Sequence, residues 1–327
     1  MVQTLTATPG QALSVGRFSD GLFRRLMATA AVSVIAVLAA TAIFLLVKAW
    51  PSLSHYGTLS FFHARWAPSE ATETSSKPNP YGILQFIYGT VVTSLVAMVI
   101  AVPVAIAVAL YITNLSPALL RGPFSSLVDL LAAIPSVVYG FWGVFALIPV
   151  LGPIGRELTS LSGIPVLGWL FQGPFFGYSI LAAGVVLAIM VLPIITAICR
   201  EVFDTAPVAE KEAAFAIGAT EWEMLRIAVL PRSRSGIVGA SILGLGRAFG
   251  ETIAVTMLIG NNVLTIPHGL LRAGSTMPSV IANEFTEANQ PFHLTSLFVV
   301  AFGLLLLSLL VNVIGKRIVG RVSEHIA

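Results

Sequence analysis

The sequence predicts an all-α, polytopic membrane protein with six transmembrane helices. Three features of its 327 residues lead there. Hydrophobic residues make up 56% of the chain and charged residues only 10%, against about 25% charged in a soluble domain. So few charges cannot solvate the surface of a chain this long. The apolar residues fall in runs of about 20 or more, the length that crosses a bilayer as a helix. Between the runs lie the Pro, Gly and Ser clusters that mark loops, together with nearly all the charges.

The first 25 residues are polar and include Pro9, Gly10, Arg17, Arg24 and Arg25. The apolar run that follows is too long for a signal-peptide core, so it reads as a retained first helix, Leu26–Trp50. Further spans follow at Ile83–Ile112, Leu127–Leu151, Tyr178–Val202, Gly236–Ile259 and Leu294–Ile314. Pro135 removes a backbone donor inside the third span and predicts a kink, which serves either as a gate or as a fit to a curved bundle. Pro103 and Pro193 support bent helices. Asp129, near the end of the third span, either pairs with a basic residue or is solvated.

Basic residues set the orientation. With the N-terminus inside, twelve lie in cytoplasmic segments: Arg17, Arg24, Arg25, Arg121, Arg200, Lys211, Arg226, Arg232, Arg234, Lys316, Arg317 and Arg321. Five lie outside, namely Lys48, Arg65, Lys77, Arg156 and Arg272. The positive-inside rule then places both termini in the cytoplasm. Two outer segments are long. The first, Pro51–Gly82, begins with Tyr56, Phe61, Phe62 and Trp66, which read as interfacial anchors. The last, Asn262–Phe292, contains a short helix from Pro278 to Glu287. These segments either form an external docking face or seal the bundle.

Several chemistries are excluded. The net charge of +3 comes with no basic stripe, so nucleic-acid binding is not expected. No phosphate-binding Gly-rich loop ending in Lys-Ser/Thr occurs, so the chain should not itself bind ATP. The five histidines (His55, His63, His268, His293 and His325) are scattered without metal-ligand spacing. Neither a hydrolase elbow nor any other catalytic group is evident, and no metal site is expected. Cys199 is a lone thiol among apolar neighbours and reads as a packing residue.

The segment Glu201–Ser235 is too polar for a bilayer and far longer than the roughly 2–8 residues that usually join bundle helices. Ala213, Ala214 and Ala216 favour helix, and Gly218 terminates it. Thr220 and Glu223 form a capping-box pattern that starts a second helix running to Val229, which Pro231 ends. Two short helices joined by a tight turn make an elbow that a soluble partner can grip.

In the fifth span Arg247 is the twelfth residue from Gly236, roughly 17 Å in and near the bilayer midplane. A mid-membrane Arg costs at least ~2.5 kcal/mol. Glu251, four residues on, lies on the same helix face and offsets it. Ala240, Gly244, Gly250 and Ala254 keep that face shallow, and Thr252 and Thr256 add hydroxyls. The pair is either a station on an anion path or a structural pair that fixes helix register.

The elbow resembles the EAA loop of ABC importer permeases. Glu212, Ala213, Ala214, Gly218, Leu230 and Pro231 match its spacing, with Ala228 where an Ile is usual. The run from Gly244 to Thr256 resembles the PstC family of phosphate-uptake permeases, as do Ile134–Gly140 and Ile281–Phe285. The resemblance implies a type I importer core over residues 83–316, preceded by an extra helix and external loop (26–82) and flanked by tails 1–25 and 317–327. It implies that Glu212 through Gly218 meet an ATPase subunit, with residues 201–235 as the coupling loop, and that Arg247 and Glu251 serve phosphate transport. The implied partners are a second permease resembling PstA, two ATPase subunits resembling PstB that bind the ATP and Mg, and an external phosphate-binding protein resembling PstS. The implied location is the bacterial plasma membrane. Two alternatives stay open: an importer for sulfate or molybdate, and a secondary anion transporter that needs no ATP.

Overall fold

Alanines at 97, 101, 105 and 109 recur every four residues, so they line one face of a helix and let another helix approach closely. In a computed structural model of the chain that seam is fully buried between α2 (Leu84–Leu110) and α6 (Ile180–Asp204), the most extensive helix pair in the molecule. Gly184 completes it, since a Cβ there would strike the Val96 side chain at 2.6 Å. The structure describes residues 16–71, 79–164, 168–173 and 175–324. The tail residues 1–15, Lys77 and His325 of the sequence reading lie outside them.

Around the α2–α6 pair the other elements are ordered as follows. Helix α1 (Gly16–Tyr56) packs on α13 (His293–Glu324) at the edge of the bundle. α3 (Ala118–Ala133) leans on α6, and α4 (Ser136–Trp142) leads through a π turn into α5 (Ile148–Ser160). The elbow comprises α7 (Val208–Ala216), α8 (Glu221–Met224) and α9 (Leu230–Arg232). α10 (Arg234–Gly250) packs against α6, α13 and α2, and is followed by α11 (Ile253–Leu258) and α12 (Met277–Glu284).

Among the described residues five helical runs are long and apolar enough to cross a membrane: Gly21–Tyr56, Leu84–Leu115, Ser136–Gly163, Ile180–Asp204 and His293–Gly320. Two of the six expected spans differ from the sequence reading. The third does not merely kink at Pro135. Ile134 and Pro135 are both extended (ψ 128° and 141°), so α3 ends there and a separate long run begins at Ser136. Proline pushes its predecessor out of the helical region, which accounts for Ile134. The fifth is broken into α10 and α11 at Glu251.

The first outer segment also departs from expectation. Trp66, Phe61 and Tyr56 are not interfacial anchors, for they are buried in a second core with Tyr81, Phe86, Met277 and Val300. Only Phe62 of the four is exposed. An antiparallel bridge between Trp66 and Tyr81 ties the segment down, with backbone bonds from Gly82 to Arg65 and from Ala67 to Pro80. The short helix expected at 278–287 is present as α12 and a 3-10 turn, Phe285–Glu287. Thr276 and Ser279 cap it reciprocally.

Candidate functional site

The site begins with a run of poor helix formers. Gly250 has maximal backbone freedom, and Thr252, Ile253, Val255 and Thr256 are β-branched. The helix stops at Gly250, Glu251 takes an extended conformation (φ −71°, ψ 124°), and α11 restarts at Ile253. The Glu251 carboxylate accepts the otherwise free Ala254 N–H at 3.4 Å. A side chain therefore replaces part of the lost helical hydrogen bonding.

Glu251 is thus not on the helix face it was expected to share with Arg247, yet the two remain close. Arg247 Nη2 lies 3.9 Å from Glu251 Oε2. That is an ion pair beyond hydrogen-bond length. The partners are unequal: the Arg247 side chain is 49% exposed, that of Glu251 only 6%. Arg247 also occupies the last turn of α10, where a cation complements the carbonyl end of the helix.

The expected small face divides. Ala240, Gly244 and Ala254 turn inward, and a Cβ on Gly244 would meet Ile195 Cδ1 at 2.7 Å. Arg247 instead shares an open side with Leu243 and Gly250, and a Cβ at Gly239, Gly246 or Gly250 would meet nothing within 4 Å. The two hydroxyls are committed locally. Thr252 donates to Gly250 O (3.3 Å) and Thr256 to Thr252 O (2.7 Å). Of the four expected path residues, then, Arg247 alone offers free donors.

Behind Glu251 lies a crevice too narrow for a water molecule, lined by Thr90, Thr93 and Ser94 of α2 and by Thr276. The Thr93 hydroxyl is buried there without a partner among the described residues. These residues were missed by the sequence reading, although Thr90, Thr93, Ser94 and Ala97 form a small and hydroxylated stripe at helical spacing in an apolar run.

At the elbow, Gly218 sits at φ +86° between α7 and α8, a conformation only glycine adopts freely. The Thr220–Glu223 capping box is present on both sides. The Thr220 N–H and hydroxyl donate to the Glu223 carboxylate at 2.8 and 2.9 Å and hold its pKa below the ordinary value. Pro231 does not end the second helix as expected. A π turn at Leu225–Val229 widens the ladder ahead of it, and helical backbone continues through Arg232. Widening relieves the clash between a proline ring and the carbonyl four residues earlier.

Of the six elbow residues, Glu212, Ala213 and Gly218 are exposed, Ala214 is buried, and Leu230 and Pro231 are half-buried. The exposed tip also carries Phe215, Ile217 and Trp222, an apolar patch the sequence reading did not single out. Lys211 Nζ donates to Asn114 Oδ1 (3.1 Å), which ties the elbow to the π turn Tyr111–Leu115 that follows α2.

A third cluster lies at the opposite end of the bundle. Glu284 Oε2 accepts from Trp66 Nε1 (2.7 Å) and contacts His293 Nε2 (2.8 Å). Tyr81 stacks on His293 and donates to Pro291 O at 2.6 Å, and burial, with Tyr56 and Glu284 adding to it, raises its pKa.

Residues 101–324 match the family model described as binding-protein-dependent transport system inner membrane component. The Xylella fastidiosa (strain 9a5c) phosphate transport system permease protein PstC is 41% identical over 98% of this chain and 96% of its own length. The chain belongs to the PstC family of binding-protein-dependent transport permeases. The PstC of Mesorhizobium japonicum is 41% identical over 95% of this chain and 94% of its own length. PstC 2 of Mycobacterium tuberculosis (strain ATCC 25618 / H37Rv) is 40% identical over 93% of each. A chain of the inward-facing MetNI methionine ABC transporter superposes with a TM-score of 0.50 at 22% identity, over 74% of this permease and 94% of that chain. This likeness is one of helical fold alone. As a member of the family, this permease is a multi-pass inner-membrane component of a transport system and not its ATP-hydrolysing part.

Proposed function

We propose that this permease carries inorganic phosphate into the cytoplasm as one half of the membrane channel of an ATP-driven importer. The observation that carries the reading is Arg247, a half-exposed guanidinium held beside a helix break by a buried carboxylate. Relatives named as phosphate transport permeases match across nearly the whole chain and support phosphate as the substrate. A guanidinium binds phosphate through charge-assisted bonds, and a carboxylate 3.9 Å away weakens that hold enough to permit release. Glu251 is the tuning partner, and Thr252 and Thr256 shape the helix break rather than donate to the anion.

Arg247 lies on the open side of α10, which suits a path shared with a second, PstA-like permease. The elbow's apolar tip, with Glu212, Ala213 and Gly218 beside it, suits docking on a PstB-like ATPase, one of two that would bind ATP and Mg. Both termini and the elbow then face the cytoplasm, and a PstS-like binding protein delivers phosphate to the opposite end. Closure of the ATPase pair would move the elbows and alternate access to Arg247.

The test is competition in vesicles that contain the assembled transporter, binding protein and internal ATP. Labelled phosphate uptake should persist in excess sulfate or molybdate and vanish in excess unlabelled phosphate. Equal competition by sulfate or molybdate would assign a different oxyanion.

A further inference from the structure

At the elbow end of the bundle, α3, α6 and the π turn Tyr111–Leu115 that follows α2 line an open cavity of about 350 Å³ that plays no part in the proposed path. Its walls carry charges of both signs, from Arg121, Arg200, Glu201 and Asp204, with Ser125 and Ile112 between them. Arg200 is the more deeply held cation. Its side chain is 15% exposed, Nη2 pairs with Asp129 at 3.3 Å, and Nη1 is buried with no partner among the described residues. Among the described residues Arg121 uses only Nε, bonded to Ser116 O at 3.1 Å. Glu201 and Asp204 are exposed and make no ion pair among the described residues.

Ile112 is also a wall of a second cavity. This is an apolar groove of about 440 Å³ between α2 and α3, lined by Ala107, Val108, Tyr111, Phe124 and Leu127 among others. Its α2 wall belongs to the last turns of the run Leu84–Leu115, one of the five long enough to cross a membrane. The groove therefore runs into the bilayer from the charged mouth. The outer surface of α3 is apolar as well, with Leu119, Leu127 and Leu130 all exposed.

We propose that this two-part cavity binds one phospholipid whose headgroup carries a primary ammonium, drawn from the leaflet on the elbow side. Its phosphate sits on Arg121 and Arg200, its ammonium on Glu201 and Asp204, and one acyl chain lies along the α2–α3 groove. Basic pockets between transmembrane helices are known lipid-phosphate sites in general. Here the two carboxylates select further. They repel a free phosphate dianion and a headgroup that is only anionic, whereas an ammonium neutralises them. The groove gives a free anion nothing, whereas an acyl chain from the leaflet can fill it by van der Waals packing.

The test is native mass spectrometry of the full-length chain, purified with whatever subunits accompany it, after addition of phosphatidylethanolamine, phosphatidylglycerol or inorganic phosphate. Phosphatidylethanolamine should be retained about tenfold better than phosphatidylglycerol. Arg121→Gln and Leu127→Trp should each cut that retention about tenfold. Both substitutions fall at exposed positions outside the proposed path, and melting of each variant checks the fold. Three results overturn the proposal: equal retention of the two lipids, which marks a merely anionic site; sensitivity to Arg121→Gln but not to Leu127→Trp, which marks a headgroup or free-phosphate site alone; and retention indifferent to both.

Discussion

Glu251 lies 3.9 Å from Arg247 although the helix that carries Arg247 has ended one residue before it. The carboxylate faces two ways, toward the guanidinium and toward the Ala254 N–H that opens α11. It therefore fixes both the charge and the local backbone of the site.

The consequence is testable by Glu251→Gln. The amide can still accept from Ala254, so the break should persist, but Arg247 loses its counter-charge. Phosphate should be held more tightly and released more slowly. We expect KM to fall and kcat to fall about tenfold, since one counter-charge at about 4 Å is worth roughly 1–4 kcal/mol between bulk water and a protein surface. Initial-rate uptake in vesicles measures both constants.

At the far end of the bundle Glu284 serves two ring nitrogens with a single oxygen. Glu284→Leu would strand the buried Trp66 Nε1 donor and free His293. Each unsatisfied group costs about 1–3 kcal/mol, so the protein should lose about 2 kcal/mol or more. Thermal melting in detergent would show a lowered Tm, whereas Glu287→Gln, on the exposed 3-10 turn, should leave it unchanged.

Gly218→Val places a β-branched residue at φ +86°. Nothing blocks the side chain itself, so the cost is backbone strain of about 1–2 kcal/mol confined to the elbow. The number of phosphates moved per ATP hydrolysed should fall while the amount of chain in the membrane stays constant.

The elbow should also respond to acid at one point. The Thr220 donors hold the Glu223 pKa below its ordinary value of 4.5. A depressed carboxylate contributes stability that is complete above the unfolded pKa and is lost as pH falls through the folded one. Hydrogen-exchange protection across residues 220–226, corrected for the intrinsic pH dependence of exchange, should therefore hold down to about pH 4.5 and fall only below it. Glu223→Gln should remove that dependence.

Much of this was legible in the sequence, for identifiable reasons. The apolar runs fix the spans because a bilayer leaves backbone groups no other partner. Gly218 and the Thr220–Glu223 box could be read because turn and cap chemistry is local. The break at Glu251 was not legible. An i, i+4 ion pair and a helix interruption share the same residue types, and only packing of Ala240 and Gly244 on α6 decides which way Arg247 turns. Trp66 and Tyr56 were misread for a related reason, since an aromatic near a span end suits an interface and a buried core equally well. Pro231 was misread because a π turn two residues earlier can absorb a proline. Thr93 was overlooked because its significance depends on the carboxylate that folding brings to it.

The central claim is that phosphate crosses by way of Arg247 on an ATP-driven route. The direct measurement is labelled phosphate uptake into vesicles holding the complete transporter, with and without internal ATP, for the unaltered chain and for Arg247→Gln. Uptake that requires ATP, and that falls at least about tenfold in the variant while its recovery in the membrane is unchanged, is the expected result. Full uptake by the variant, or uptake by this chain alone without ATP, would contradict it.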